Sequence, residues 1–299
     1  MRKKILPPYV AGGFIMKKIL SLALVLVMLM SSVLLMSSCS KEKLNFGKEY
    51  RPLSAQMDVL LQLNANSVDV GIMDSIMAGY YMSQDTAYSE SLMIVENLTL
   101  ATEQYGIAAR KGSGLAKKIN EALIALANEG TVNELADKYG IASELCIDKN
   151  ATVEPLTDAE KADWDYIVGQ GKFIVGYTLF APIAYKNDAG ELIGFDIELA
   201  KAVAEKLDLT VEFKEIEWNA KETLLAGKSI DCIWNGMTIT EERKANMEIS
   251  IPYLNNKQVA VIRKADKDKY TTTESMSGAI IAAEAGSAGE ACVKPEDAE

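Results

Sequence analysis

Ser229-Ile230-Asp231-Cys232-Ile233-Trp234-Asn235-Gly236-Met237-Thr238-Ile239-Thr240-Glu241-Glu242-Arg243 is the stretch from which the rest of the chain can be read. Its apolar opening, Ser229 to Trp234, predicts a buried strand. Thr240 is a good N-cap, so Arg243 falls in the first turn of a helix. A cation there opposes the helix dipole. An anion held between the two reverses that sign, and an arginine fork accepts a carboxylate with two parallel hydrogen bonds. The plain alternative is a solvated arginine.

The same strand-then-helix alternation runs outward in both directions. Downstream come strands at Gln258–Arg263 and Ala279–Ala283, a Gly-rich turn, and a charged tail to Glu299. Upstream lie strands at Phe173–Tyr177 and Thr210–Lys214, with a helix from Asp196 to Leu207 between them. The front of the chain reads as helix Ser54–Leu63, strand Val68–Met73, a helix opening at Asp74, and strand Gln104–Ala109. Leu115, Ile119, Leu123 and Leu126 then recur at helical spacing. Thr131 and Glu134 form a capping-box pattern for one more helix, ending near Tyr139-Gly140. Leu145 to Asp165, polar and acidic, reads as a linker. The pattern predicts an α/β fold with largely parallel strands. A final βα unit cannot cover both faces of its strand, so Ala279–Ala283 must complete a sheet with earlier parts of the chain.

The chain has 299 residues, 49% of them hydrophobic, enough for one large or two modest domains. Met16 to Cys39 has two lysines, an apolar run from Ile19 to Met36, then Ser37-Ser38-Cys39. That describes a secretory signal with a lipidated cysteine at its end, and Met16 is a better start than Met1. An uncleaved membrane helix is the alternative. The net charge is −11, and removal of residues 1–39 takes five basic side chains and no acidic ones. So acidic a surface disfavours nucleic acid as a partner. Cys146, Cys232 and Cys292 are widely spaced and predict neither a disulfide framework nor a metal site. The chain has no histidine, which removes the commonest general base and zinc ligand. No P-loop or nucleophile elbow is present, so no cofactor, metal or catalytic residue is expected.

Gly194-Phe195-Asp196, Trp218, Asn235 to Arg243 and Pro252-Tyr253 resemble the first lobe of family-3 extracellular solute-binding proteins, the amino-acid receptors of ABC importers. Val68-Asp69 to Asp74, Gly79-Tyr80-Tyr81, Gln104 to Ala108 and Lys111-Gly112-Ser113 are similar to the family's later segments. Gly286-Ser287-Ala288-Gly289 resembles the opening turn of its second lobe. In the family that turn precedes the Asp74 segment; here it follows. The resemblance therefore implies a circularly permuted, two-lobe periplasmic-binding-protein-like fold (type II). Lobe 2 is then 44–103 plus 262–299, and lobe 1 is 104–148 plus 164–261. Residues 145–165 join the ancestral termini, residues 1–39 are the lipoprotein signal, and the hinge lies where two strands cross near Tyr105 and Arg263.

The resemblance also implies a ligand site. Arg243 and Thr238 meet the ligand carboxylate, the Gly236 carbonyl and Asp74 meet its ammonium, and Ser287 and Ala288 offer backbone N–H groups. Phe180 and Trp218 sandwich the side chain; Tyr177, Asn235 and Glu284 are further lining candidates. Asp196 and Asp74 also read as helix caps. The implied protein is a monomeric, non-enzymatic receptor, anchored through Cys39 on the outer face of the cytoplasmic membrane, that delivers a polar amino acid to an ABC permease. Basic-amino-acid binders place an acid at the position matching Tyr177. Its absence points to glutamine or another neutral polar ligand, and Glu284 weighs the other way. The competing readings are a dehydratase acting on prephenate-like acids and a non-functional fusion of rearranged fragments.

Overall fold

The computed structural model describes residues 44–294 apart from residue 85. The signal and Cys39 lie outside the described residues. Among the described residues no helix is long and apolar enough to cross a membrane.

In chain order the elements are β1 (Glu49–Leu53), α1 (Gln56–Asn64), β2 (Val70–Asp74), α2 (Ser75–Gln84), α3 (Thr86–Ser91), β3 (Leu92–Arg110), α4 (Leu115–Glu129) and α5 (Thr131–Lys138). Then follow α6 (Asp158–Gln170), β4 (Lys172–Tyr177), the short pair β5 (Tyr185–Lys186) and β6 (Leu192–Ile193), α7 (Phe195–Lys206), β7 (Thr210–Glu215) and α8 (Lys221–Ala226). The chain continues through β8 (Cys232–Thr238), α9 (Glu241–Asn246), β9 (Met247–Ile249), β10 (Leu254–Arg263), β11 (Ile280–Glu284) and α10 (Ala288–Val293).

The main sheet runs β1-β11-β2-β10-β3-β8-β4-β7, with β9 beside β3. The late strand β11 lies parallel to both β1 and β2, pairing Ile281 with Val70 and Ala282 with Gly71. Strands β8, β4 and β7 form a second parallel group. Two antiparallel strands join the groups. β10 pairs with β2 from Gln258 to Ile262, and Leu254 pairs with Tyr105 of β3. β3 then passes to β8 and β9 from Tyr105 to Arg110. Helices α1 and α10 pack on the first group, and α6, α7 and α8 on the second.

β10 keeps β3 beside it from Leu254 to Arg263, and the change of partner falls on β3, which passes from β10 to β8 at Tyr105. Arg263 is fixed inside the first group, where its guanidinium donates to the Val68 carbonyl (2.6 Å) and pairs with Asp69 (3.2 Å).

The expected linker is only partly a linker. Thr157 caps α6, and Glu160 returns the bond to the Thr157 N–H (2.7 Å), a complete capping box. Arg110 of β3 clamps this helix to the sheet through Asp163 (3.1 Å) and Asp231 (2.8 Å). At Thr131 the same Thr-x-x-Glu pattern makes no cap. Gly130, at φ 93°, both ends α4 and precedes α5, so Thr131 is already helical. The charged tail, too, contains a short helix, α10.

Candidate functional site

Parallel strands end their backbones on one edge, and in open α/β sheets ligands sit outside those carboxyl ends. Here both parallel groups turn that edge toward the same space. Asp74 ends β2, Glu284 ends β11, Asn235 to Thr238 end β8, and Thr178 to Phe180 follow β4. Together with Gln56, Trp218, Arg243, Ser287 and Ala288 these residues line one cavity. Its enclosed part measures about 20 Å³, room for about one water. Thr178, Leu179 and Phe180 also line an outer cleft of about 950 Å³.

Of the residues expected from sequence, Arg243, Thr238, Gly236, Asp74, Ser287, Ala288, Phe180, Trp218, Asn235 and Glu284 all line this cavity. Tyr177 is the exception. Strand alternation turns its ring away, against Phe213 and Ile197, and its hydroxyl reaches Glu215 at 3.5 Å.

Arg243 is held by three bonds. Its N–H donates to the Thr240 hydroxyl (3.1 Å), and its guanidinium donates to the Thr238 carbonyl (2.7 Å) and the Gly286 carbonyl (3.3 Å). Among the described residues it makes no ion pair and is the one cation of the cavity lining. Burial lowers its pKa, and surrounding carboxylates, Glu222 and Glu103 first, oppose that. Lys221 of α8 reaches the same Gly286 carbonyl (3.1 Å) over the Trp218 ring, 4.7 Å from its centroid. The two cations tie the second sheet group to the turn after β11. Burial and the nearby Arg243 bring Lys221 down to about 8.

Asp74 does not cap α2; the Ile76 N–H is taken by Asn256 (3.3 Å). Its carboxylate instead collects four side-chain donors. Tyr105 (2.6 Å), Asn256 and Gln258 (2.9 Å) donate to Oδ1, and Gln56 donates to Oδ2. Of these four donors only Gln56 meets Oδ2. Burial, then the neighbouring Glu103, pushes Asp74 well above the usual carboxylate range, against the pull of those donors. Glu103 joins the network from the crossing strand β3, accepting from Gln258 (2.8 Å) and from the Thr238 hydroxyl (3.0 Å). The Thr238 hydroxyl is thus already engaged. So is the Ser287 N–H, which donates to the Glu284 carbonyl (3.2 Å), leaving Ala288 as the backbone donor of that turn.

Asp196 is not a cap either. From the first turn of α7 it accepts the Gly236 N–H (3.0 Å) and the Tyr253 hydroxyl (2.8 Å), bracing the end of β8. Burial raises it to about 7. Its native pKa lies above the unfolded value, so the folded state retains a proton between about pH 4 and 7 that the unfolded state has lost. Its contribution is greatest near pH 4 and disappears as pH rises through 7. Urea unfolding of Asp196→Asn, relative to wild type, is expected to remove that pH dependence, on the order of 4 kcal/mol at full extent. Parallel stability–pH curves for the two proteins would contradict it.

Sequence reading missed Gln56, Thr178 and Leu179 in the lining, and the support from Tyr105, Glu103, Asn256 and Gln258. The signal was there in part: Glu103, Asn256 and Gln258 are polar residues inside otherwise strand-like runs. Among the described residues no cluster of three His, Cys, Asp or Glu side chains could hold a metal.

Residues 173–297 match the family described as bacterial extracellular solute-binding proteins, family 3. The chain is similar to the L-cystine-binding protein TcyJ of Escherichia coli (strain K12), 29% identical over 110 residues, 36% of this chain and 41% of that protein. It is 35% identical over 97 residues to the arginine-binding extracellular protein ArtP of Bacillus subtilis (strain 168), 32% of this chain and 38% of that protein. Among solved structures, the arginine-bound form of domain 1 from TmArgBP is 33% identical, covering 35% of this chain and 89% of that one at a TM-score of 0.30. The chain spans about two fifths of the length of the curated relatives it matches.

Proposed function

We propose that this chain, which belongs through residues 173–297 to the family-3 bacterial extracellular solute-binding proteins, is a non-enzymatic receptor that captures a polar amino acid outside the cytoplasm and delivers it to an ABC transporter. One observation carries the reading. A single cavity at the carboxyl ends of two parallel strand groups is lined by Arg243 on one side and Asp74 on the other.

In this reading the amino acid's carboxylate takes the Arg243 fork and the Ala288 N–H. Its ammonium takes Oδ2 of Asp74 and the Gly236 carbonyl, and Phe180 and Trp218 flank its side chain. These groups serve any α-amino acid, so the side-chain pocket decides which one. The glutamine preference argued from Tyr177 loses its basis, because that residue faces away from the cavity. An enclosed volume of about 20 Å³ is far too small for an amino acid, so the strand groups act as two lobes that part and close about the crossing at Tyr105.

The chain order is that of a circular permutation, with β11 completing the lobe that β1 and β2 begin, within one monomer. Lipidation of Cys39 tethers the receptor. Detergent phase partition tests this: Cys39→Ser moves to the aqueous phase, and an unchanged distribution would count against the anchor.

The experiment for the function is a thermal-shift screen of the twenty amino acids on the full chain. At one hundred times Kd a true ligand adds about 2.7 kcal/mol, a Tm rise of roughly 5–10 °C for a chain of this size. A flat response to every amino acid, with turnover of a prephenate-like acid, would instead establish the dehydratase reading. A melt that is not cooperative would favour an inactive fusion.

A further inference from the structure

The outer cleft is strongly one-signed. Asp58, Asp188, Glu215 and Glu217 line it, and the one lining cation, Lys186, is spent on Glu215 at 3.4 Å. Tyr80 and Tyr185 supply aromatic wall, their rings 5.9 Å apart. Such a cleft draws in cations and repels anions before any contact is made.

The junction between cleft and cavity repeats the preference in buried form. Glu284 is only 4% exposed, lines the inner cavity and makes no ion pair among the described residues. Lys221, the cation that acts on Glu284, donates a hydrogen bond to the Gly286 carbonyl (3.1 Å) and makes no ion pair with this carboxylate. Asn235, 3% exposed, donates its amide N–H to Thr178 (2.8 Å), while its Oδ1 is buried with no donor. Thr178 borders both spaces. The junction thus presents two buried acceptors, and what complements them is a group rich in N–H donors. A guanidinium or ammonium carries donors only and brings a positive charge to Glu284, whereas a neutral amide can donate its N–H groups but brings no charge.

We propose that the ligand is an amino acid with a cationic side chain, whose guanidinium or ammonium head is received at this junction by Glu284 and the Asn235 amide oxygen. The inference rests on the amino-acid-receptor reading and narrows its substrate class. Titration supports it. Burial raises Glu284 to about 8, Asp58 of α1 and Glu217 before α8 add to that, and Lys221 of α8 and the Gln56 amide oppose it. A cation arriving there lowers that value and expels a proton, so affinity strengthens as pH rises toward 8.

Calorimetry on the full chain with arginine, lysine, glutamine and citrulline tests the proposal, citrulline being the uncharged near-isostere of arginine. Arginine is expected to bind at least about 30-fold tighter than citrulline. At pH 7 its binding enthalpy should vary with buffer ionisation, as proton release requires. Glu284→Gln should shrink the arginine-to-citrulline ratio to roughly 3-fold; the wild-type ratio stands as a test even if that variant does not fold. Citrulline or glutamine binding as tightly as arginine overturns this inference and leaves the receptor reading intact. Failure of every amino acid to bind overturns both.

Discussion

Arg243→Ala is expected to weaken amino-acid binding by about 2–5 kcal/mol, roughly 30- to 4,000-fold in Kd. The guanidinium is pre-positioned by the Thr238 and Gly286 carbonyls, neither of which neutralises it. The other ionisable groups of the lining, Asp74 and Glu284, are acids whose burial raises them, and neither offers the ligand carboxylate a cation. With Arg243 gone the ligand carboxylate enters a cavity whose lining holds no cation. Arg243→Lys keeps the charge but not the fork, so it should recover only part of the loss. Arg243 is half-buried at the rim of a six-residue helix, and the unfolding midpoint of the alanine variant should move little. Calorimetry gives the binding term and a urea melt gives the stability term. Wild-type affinity in Arg243→Ala would remove this residue from the site.

Gly194→Ala is expected to cost on the order of 3–5 kcal/mol of stability, at the upper end for a single substitution. Gly194 sits at φ 132° and ψ 166°, a conformation that side chains rarely adopt. A Cβ there would fall on the Ile183 carbonyl, closer than real Cβ contacts come. That backbone cannot yield easily. The Ile183 carbonyl accepts the Asp196 N–H (3.0 Å), and the Pro182 carbonyl accepts that of Phe195 (2.9 Å). The same loop carries Phe180 into the cavity, so ligand affinity should fall with stability. Gly169→Ala is the internal contrast: it lies within α6, and a Cβ there meets nothing within 4 Å. It should stabilise by about 0.5–1 kcal/mol. Urea melts of the two variants should move in opposite directions, and equal effects would contradict the account.

Both predictions fall on residues that were prominent in the sequence, and that is no accident. Arg243, Thr240 and Gly236 are local: a cap, a helix start and a glycine at φ 62° are encoded within a few positions. The Leu115–Leu126 stripe was equally legible, because one buried face imposes a helical period; all four residues are fully or nearly fully buried. What stayed hidden was long-range. Gln56 reaches Asp74 only because β1 and β2 flank β11, and no pattern near Gln56 announces it. The occupied Thr238 hydroxyl and Ser287 N–H depend likewise on partners brought from elsewhere or from the exact turn. The Thr-x-x-Glu pattern shows the limit most plainly. It caps at Thr157 and fails at Thr131, where a glycine in the left-handed region has already started the helix.

The central claim is that an amino acid draws the two strand groups together over the cavity shared by Arg243 and Asp74. Small-angle scattering on the full chain, with and without the ligand found in the thermal screen, tests it most directly. The account predicts a smaller radius of gyration at saturation, and no such change in Arg243→Ala. Superimposable curves for wild type, with the ligand bound, would contradict it.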